Sequence, residues 1–156
     1  MRPRREHATS NGQTYFVTSS TFQKRSIFQA TKWCELFLEN LYEYRGRYFD
    51  LHEFVVMRDH FHLLITPAGA LERAAQTIKG GFSYKAKKQF ATNLEIWQIG
   101  FDDHRIRDGE DYRIHRLYIF NNPVKKGYCS KPEDYQWCSA NGRFELDPVP
   151  QRLKPL

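Results

Sequence analysis

The stretch FVVMRDHFHLLI, at residues 54–65, constrains the fold of this chain more than any other part of the sequence. Apolar, β-branched and aromatic residues flank the short segment RDH, and this pattern predicts two strands joined by a hairpin. Residues i and i+2 of a strand point to the same face, so His60 and His62 project together while Phe61 points to the other face. We therefore expect a hairpin that presents two imidazoles on one surface of a sheet.

Patterns along the rest of the chain predict the elements that surround this hairpin. In chain order they are a strand at 14–22, a helix at 32–46, strands at 48–57 and 60–67, a helix at 71–90, a strand at 95–101 and a helix at 109–123. The sequence KGG at 79–81 should weaken or interrupt the second helix, and Pro123 should end the third. The order β-α-β-β-α-β with an extra helix is typical of the ferredoxin-like, or RRM-like, α+β fold. We expect an antiparallel sheet with helices on one face, a C-terminal helix, and a site on the face left open.

The length of 156 residues predicts a single domain over 1–156, with a basic arm at 1–12 and a mobile, turn-rich tail at 143–156. The sequence has neither an apolar run long enough to cross a membrane nor the apolar core of a signal peptide. Its three cysteines lack the spacing of a zinc site or a disulfide framework, and free thiols fit a reducing compartment. We therefore expect a cytoplasmic protein with no membrane partner.

Basic residues outnumber acidic ones by 24 to 18, and the net charge of +6 favours a polyanionic partner. Single-stranded nucleic acid needs a cationic path together with aromatic faces on which its bases stack. The sequence IKGGFSYKAKKQ offers both, and the N-terminal arm adds arginines. The predicted DNA contacts are Arg2, Arg4, Arg5, Lys79, Phe82, Tyr84, Lys85, Lys87 and Lys88. A solvated helix face is the alternative interpretation of the lysines.

Two imidazoles on one strand face can converge on a metal ion, although two ligands alone make a poor site. The helix sequence HRLYIFNNP adds Tyr118 and Asn122, which share a helical face at i and i+4, and His115 lies one turn before Tyr118. Asn122 could supply an amide oxygen to a hard cation, Tyr118 a phenolic nucleophile, and His115 an auxiliary general base. The alternatives are structural: hydrogen-bonded histidines, a core aromatic, and a helix end before a proline.

Four segments together make the chain similar to a known family. They are YFVTSSTFQKRSIF, FVVMRDHFHLLI, IKGGFSYKAKKQ, and the long segment that begins at WQIGF and ends at YQWCSA. The last contains a YIxxNPVKxG core followed by Pro-x-x-Tyr-x-Trp. Over residues 14–140 the chain resembles the single-tyrosine HUH transposases, in particular the REP-associated tyrosine transposases. It departs from their pattern before His60, where MRDH replaces the typical MPNH or MPDH, which changes the turn and not the ligands.

The resemblance implies a ferredoxin-like fold and assigns roles to particular residues. His60, His62 and Asn122 would bind Mg²⁺ or Mn²⁺, and Tyr118, on a C-terminal catalytic helix, would be the nucleophile. The implied function is cleavage and rejoining of single-stranded DNA near REP-like hairpins through a covalent 5′-phosphotyrosine, as in DNA transposition. Relatives include monomers and proteins that swap the tyrosine helix between subunits, so we expect a monomer or a homodimer.

Two other functions fit the same residues. A catalytically degenerate relative would bind single-stranded nucleic acid without cutting it, and its binding would be sensitive to salt but indifferent to a chelator. A metal-dependent hydrolase would use the histidines to activate water and would not need Tyr118. The complete set of site residues argues against the first alternative. The hydrolase alternative would need a further carboxylate beside the histidines. Asp59 is adjacent in sequence, but on a regular strand it is expected to point away from His60.

Overall fold

The computed structural model describes residues 12–154, so the predicted contacts Arg2, Arg4 and Arg5 lie outside the described part of the chain. One antiparallel sheet has the strand order β2-β3-β1-β4. The strands are β1 Tyr15–Ser20, β2 Phe49–Val56, β3 His60–Pro67 and β4 Asp102–Arg105, and the α-helices are α1 Thr31–Tyr44, α2 Leu71–Gln89 and α3 Gly109–Lys125. This arrangement confirms the predicted α+β, ferredoxin-like fold.

Alternation along β3 divides its side chains between the two faces of the sheet. Phe61 and Leu63 pack in the main core with residues of α1 and α2. Leu64 instead packs in a second cluster with Ile119 of α3. Because even-numbered residues of β3 share a face, the two histidines of the hairpin face α3 rather than the main core.

Helix α3 lies on the face of the sheet that α1 and α2 leave open, and a side-chain contact to the buried Glu53 attaches it to β2. Arg116 Nε donates to Glu53 Oε2 at 3.1 Å, and Ser139 Oγ donates to Glu53 Oε1 at 2.6 Å. Burial raises the pKa of Glu53, while the bonds from Ser139 and Arg116 oppose that rise. The contact from Arg116 fixes α3 to the sheet of the same chain, and Ser139, which follows α3, holds the other oxygen of Glu53.

The expectation that Pro123 ends the last helix is wrong, because α3 continues to Lys125. A proline within a helix cannot donate to the carbonyl four residues earlier, which here belongs to Ile119. The Cys138 thiol donates to that carbonyl at 3.9 Å. A weak bond from outside the helix therefore replaces the one that the proline removes.

Two other local predictions also fail. Helix α2 runs unbroken through KGG, where a Cβ on Gly81 would lie 2.6 Å from Asn40 Oδ1 of α1, so the glycine permits close packing of the two helices. The segment 95–101 is not a strand, and the fourth strand begins at Asp102. Trp97 makes only an isolated bridge to Thr21, because its ring is drawn into the aromatic core and its indole N–H donates to the Lys79 carbonyl.

The segment after residue 142 packs against the fold, so the prediction of a mobile tail is wrong as far as residue 154. The Asp147 carboxylate accepts from Arg45 at 2.8 and 3.0 Å and from the Leu51 backbone at 2.8 Å. Leu153 is fully buried in the cluster beneath α3. Across residues 12–154, no helix combines the length and apolarity that a membrane span requires.

Candidate metal and nucleophile site

The two histidines of β3 lie side by side on the face that α3 covers. Their ring centroids are 4.8 Å apart and their ring planes cross at 75°. Antiparallel pairing places Ser20 opposite His60 and Thr18 opposite His62 on β1. His62 is buried, whereas His60 keeps partial contact with solvent. The imidazole pair that the sequence predicts is therefore formed at the border between the protein interior and solvent.

Each imidazole is held by a hydrogen bond at Nδ1. Asp59 Oδ1 lies 2.7 Å from His60 Nδ1, and Thr18 Oγ1 lies 2.7 Å from His62 Nδ1. The Asp59 carboxylate can only accept, so it favours the His60 tautomer with the proton on Nδ1 and a free lone pair on Nε2, as in metal-binding histidines. The Thr18 hydroxyl can accept from His62 Nδ1 in the same way. The expectation that Asp59 points away from His60 is wrong, because Asp59 precedes β3 in a turn, where strand alternation does not apply.

The surroundings of both imidazoles favour their neutral form. Burial, together with the nearby charges of His60 and Lys24, lowers the pKa of His62 to about 3. Burial also lowers the pKa of His60, against the opposing effect of Asp59. Within residues 12–154, the buried His62 Nε2 has no hydrogen-bond partner. A neutral imidazole with a buried, unpartnered nitrogen fits a metal ligand.

Tyr118 of α3 meets the histidine pair from the helix side. Its ring centroid is 5.2 Å from that of His62, and the two planes cross at 76°. Its ring also contacts Phe16 edge-on at 5.9 Å. The Tyr118 side chain is 50% exposed, so it is not the core aromatic that the sequence left as an alternative. Its phenol is accessible to a macromolecular substrate beside the imidazoles.

Asn122 follows Tyr118 by one helical turn and is 7% exposed. Its Nδ2 atom is buried without a hydrogen-bond partner in the described part of the chain. The nitrogen and oxygen of an amide can be exchanged by a flip, so the unpartnered position can hold the oxygen that a hard cation would bind. The donor set of His62 and Asn122 therefore fits a divalent cation, and the role of Asn122 as third ligand stays a prediction.

A second group of imidazoles lies near the start of α3. His104 Nε2 lies 2.9 Å from Asp111 Oδ2, and His115 Nδ1 lies 2.8 Å from the Asp111 carbonyl. Ligand atoms of these three residues lie within 4.8 Å of one another, so they too could hold a metal ion. Burial alone would raise the pKa of Asp111, but hydrogen bonds from the Arg107 backbone and His104 hold it below its ordinary value.

His115, the candidate auxiliary base, belongs to this second group. Its ring stacks on His104 at 4.6 Å and contacts Phe16 at 4.9 Å. Its Nδ1 is occupied by the Asp111 carbonyl. These contacts describe the packed, structural histidine that the sequence allowed, and a role for His115 as general base stays a prediction.

A groove of about 570 Å³ follows α3 beside the tyrosine. Ile114 and Leu117 expose 52% and 41% of their surfaces there, and they form an apolar stripe with Tyr118. The complete lining is Ile114, Leu117, Tyr118, Asn121, Asn122, Lys125 and Lys126. The groove thus joins apolar surface to positive charge at the C-terminal end of the helix.

The DNA contacts predicted on α2 include side chains that are accessible and one that is not. Tyr84 is 67% exposed, and Lys87 and Lys88 are also exposed. The prediction for Phe82 is wrong, because its side chain is fully buried in the main core, where it contacts Phe28 at 5.6 Å. The aromatic spacing that suggested base stacking serves helix packing at this position.

Lys79 and Lys85 are engaged by the protein itself. Lys79 Nζ donates to two backbone carbonyls of the 98–100 loop, and burial lowers the pKa of this lysine. Lys85 Nζ donates to Asn40 Oδ1 at 2.7 Å and to Glu43 Oε2 at 2.8 Å. Neither ammonium can follow a phosphate backbone without giving up these contacts.

The sequence patterns did not single out two residues that position the site, Phe16 and Thr18, and they gave Asp59 the wrong direction. The Phe16 ring stacks on His62 at 5.1 Å with an interplanar angle of 17°. Alternation in β1 places Phe16 and Thr18 on one face, and this signal was available in the sequence. The register of β1 against β3, which brings Thr18 to His62, depends on long-range pairing and has no local signature.

Known proteins resemble this chain over most of its length. Residues 10–122 match the family described as "Transposase IS200 like", a range that contains the histidine pair and Tyr118 and ends at Asn122. The REP-associated tyrosine transposase of Escherichia coli (strain K12) is 32% identical over 145 residues, which cover 87% of this chain and 84% of that protein. A solved REP-associated tyrosine transposase bound to a REP hairpin is also similar, with a TM-score of 0.73, 25% identity, and coverage of 100% of this chain and 94% of that one.

Proposed function

The chain belongs to the IS200-like transposase family, and from this premise we propose that it cleaves and rejoins single-stranded DNA beside hairpins. Tyr118 is the proposed nucleophile, and His60, His62 and Asn122 are the proposed metal ligands. The similar protein of known structure binds a REP hairpin, and we extend a hairpin-bearing partner of this kind to the present chain. The whole chain would act as one domain, in the cytoplasm, where such DNA is accessible.

The contact between Tyr118 and His62 carries this proposal. Their ring centroids are 5.2 Å apart within one chain, and the phenol is half exposed. The anchoring of α3 to Glu53 through Arg116 supports a helix that stays on its own sheet. We therefore propose that a monomer completes the site, so that a homodimer with exchanged helices is not needed for the chemistry.

The proposed reaction exchanges one phosphate ester for another. Tyr118 Oη attacks the phosphorus, and an oxygen–phosphorus bond forms as the bond to the 3′ oxygen breaks. The phenol gives up its proton and the departing 3′ oxygen gains one, so that no oxidation or reduction occurs. The products are a 5′-phosphotyrosine and a free 3′-hydroxyl. Attack by a 3′-hydroxyl on the phosphotyrosine reverses these changes and joins two strands without ATP.

A divalent cation, for which we propose Mg²⁺ or Mn²⁺, would polarise the scissile phosphate and offset charge on the departing oxygen. The protein's part is to hold neutral donors in place. Thr18 and Asp59 orient the rings of His62 and His60 through their Nδ1 atoms and leave Nε2 for the ligand role. Imidazole ligands favour Mn²⁺ over Mg²⁺, which prefers oxygen.

We place the strand to be cut in the groove along α3. Its apolar stripe would contact bases and sugars, and Lys125 and Lys126 would contact phosphates. The exposed Tyr84, Lys87 and Lys88 of α2, with the arginines of the N-terminal arm, are proposed as further contacts to the DNA. Lys79, Lys85 and Phe82 are left out of this surface, because the protein itself uses them.

The test is a covalent adduct with DNA. A hairpin-bearing single strand is labelled at its 3′ end, because a 5′-phosphotyrosine keeps that fragment on the protein. It is incubated with the protein and Mn²⁺, and the products are separated on a denaturing gel. Wild-type protein should form a denaturation-resistant adduct, and Tyr118→Phe should form none. Tyr48→Phe is the matched control, since it removes one hydroxyl from a tyrosine outside the site and the proposed DNA surface, whose ring packs against Tyr44 at 5.6 Å, and it should form as much adduct as the wild type.

Other results assign other functions. An undiminished adduct in Tyr118→Phe would exclude Tyr118 as the nucleophile. Salt-sensitive binding that is indifferent to a chelator, with no cleavage by wild-type protein, would indicate the degenerate binding module. Cleavage that persists in Tyr118→Phe, forms no adduct and is lost in His60→Ala would indicate a metal-dependent hydrolase.

A further inference from the structure

Lys24 lies in a strained turn that directly follows β1. Gln23 and Lys24 have φ values of 56° and 57°, which place two successive non-glycine residues in the left-handed region. This conformation costs folding free energy for residues with a side chain, and such strain is concentrated at functional sites. This strain suggests that the turn holds Lys24 in a position that matters for function.

The turn is tied firmly to the segment that carries the histidines. The Thr21 backbone N–H donates to the Asp59 carbonyl at 2.9 Å, and Thr21 Oγ1 donates to the same carbonyl at 3.1 Å. The Lys24 backbone N–H donates to the Thr21 carbonyl at 3.1 Å. Lys24 is thus fixed relative to Asp59, whose carboxylate orients His60.

The side chain of Lys24 points back along β1 toward the metal-binding face. Its Nζ donates to Ser20 Oγ at 2.9 Å, and Ser20 stands directly opposite His60 in the sheet. Alternation along β1 puts Ser20 on the same face as Thr18, the partner of His62.

The Lys24 ammonium is available to an anion. Its hydrogen-bond partner is a neutral hydroxyl, and among residues 12–154 it forms no ion pair with a carboxylate. In contrast, the ammonium of Lys85 is paired with Glu43 at 2.8 Å. A lysine ammonium beside a metal site repels the metal ion and weakens its binding. This repulsion is offset if a phosphate group binds between the Lys24 ammonium and the metal ion.

We propose that Lys24 is a further catalytic residue, whose ammonium binds a non-bridging oxygen of the scissile phosphate, an inference that rests on the proposed function. Negative charge is spread over these oxygens while the phosphoryl group passes from the 3′ oxygen to Tyr118. A fixed cation aimed at that charge stabilises the transition state without reorganisation during the reaction. The strained turn supplies this fixed position.

Single-turnover adduct formation with saturating hairpin DNA and Mn²⁺ tests the role of Lys24. Lys24→Gln should lower the rate by about 100-fold, as expected for the loss of one transition-state donor, and should change the dissociation constant for DNA by less than about tenfold. Lys24→Arg keeps the charge and should recover part of the rate. Lys32→Gln is the matched control, because Lys32 is exposed on α1, over the Phe90 ring, and its loss should change neither quantity.

Two further measurements separate catalysis from structure. Lys24→Gln should bind Mn²⁺ at least as tightly as wild type and keep its thermal midpoint, because a repulsive charge is removed and no ion pair is lost. A wild-type rate in Lys24→Gln, or weakened Mn²⁺ binding, would overturn the inference. Tyr118→Phe is assayed alongside: if it abolishes the adduct while Lys24→Gln is fully active, only the role of Lys24 fails. If Tyr118→Phe still forms the adduct, the proposed function fails.

Discussion

Two groups of histidines contact the same aromatic ring, that of Phe16. They differ in whether their buried polar atoms have hydrogen-bond partners. Phe16 contacts His62 of the sheet pair, His60 and His62, at 5.1 Å. It contacts His115 of the helix cluster, His104, Asp111 and His115, at 4.9 Å. Within the helix cluster, Asp111 accepts from donors on both sides. In the sheet pair, a buried nitrogen of His62 has no partner in the described residues.

Ring orientation separates the two groups in the same way. A metal ion lies in the plane of each imidazole that binds it. The planes of the sheet pair cross at 75°, so they meet and can share an ion, whereas the stacked rings of His104 and His115 are inclined by only 17°. The helix cluster, with its hydrogen bonds completed and its rings stacked, favours a role in stability. The sheet pair favours a role in metal binding, because an unpartnered buried polar atom is costly unless something binds it.

The largest expected effect comes from breaking each group in turn. His62→Ala should lower adduct formation by more than about 100-fold, because the loss of a ligand exceeds the 10- to 100-fold cost typical of its supporting residues. Asp111→Asn should leave the adduct rate within about threefold of wild type and lower the free energy of unfolding by about 1.5–3 kcal/mol, the value of hydrogen bonds to a buried charge. Single-turnover assays and urea denaturation measure the two effects. A loss of activity in Asp111→Asn while the protein remains fully folded would contradict a purely structural role for the helix cluster.

A smaller effect is expected from the residue that orients His62. Thr18→Val removes the hydroxyl that bonds to His62 Nδ1 and should weaken Mn²⁺ binding by about 10- to 100-fold. Thr14→Val is a matched control on the same side of the sheet, where the Thr14 hydroxyl bonds to Thr66 Oγ1 at 2.6 Å. It should leave Mn²⁺ affinity unchanged. Equal losses of affinity in both variants, measured by calorimetry, would show that general strand stability and not ring orientation sets metal binding.

Local sequence patterns made most of the fold predictable, together with the histidine pair on β3 and Tyr118 on α3. Alternation over β2 and β3, helical spacing around Tyr118 and Asn122, and the short turn before His60 are all properties of neighbouring residues. They sufficed for three of the four strands, for the histidine pair and for a tyrosine on the last helix. They also identified the family, which the comparisons confirm.

Features that depend on tertiary packing were not predictable in this way. Phe82 was interpreted as a stacking surface because its neighbours are basic, but α1 and the sheet bury it. The chain at 95–101 has strand composition, yet the ring of Trp97 is drawn into the aromatic core and the ladder starts later, at β4. The direction of Asp59 was predicted wrongly because a turn, not a strand, determines it. In each case the nearest sequence neighbours are not the nearest spatial neighbours.

The smallest expected effect is a difference in pH dependence between the two groups. Burial, with nearby charges, lowers the pKa of His62 to about 3 from an ordinary value of 6.5. As pH falls below 6.5, the unfolded chain therefore binds a proton at His62 that the folded chain does not, and stability decreases by up to about 1.4 kcal/mol per pH unit. The pKa of Asp111 is lowered from 3.8, so its contribution is fully present above that value and is lost only as pH falls below it. Urea denaturation of metal-free protein between pH 6.5 and 5 should show a shallower pH slope in His62→Gln than in wild type. Asp111→Asn should show the same pH slope as wild type, with a free energy of unfolding that is lower by a constant amount. A slope that changes in Asp111→Asn and not in His62→Gln would contradict the conclusion that His62 is the group left unsatisfied.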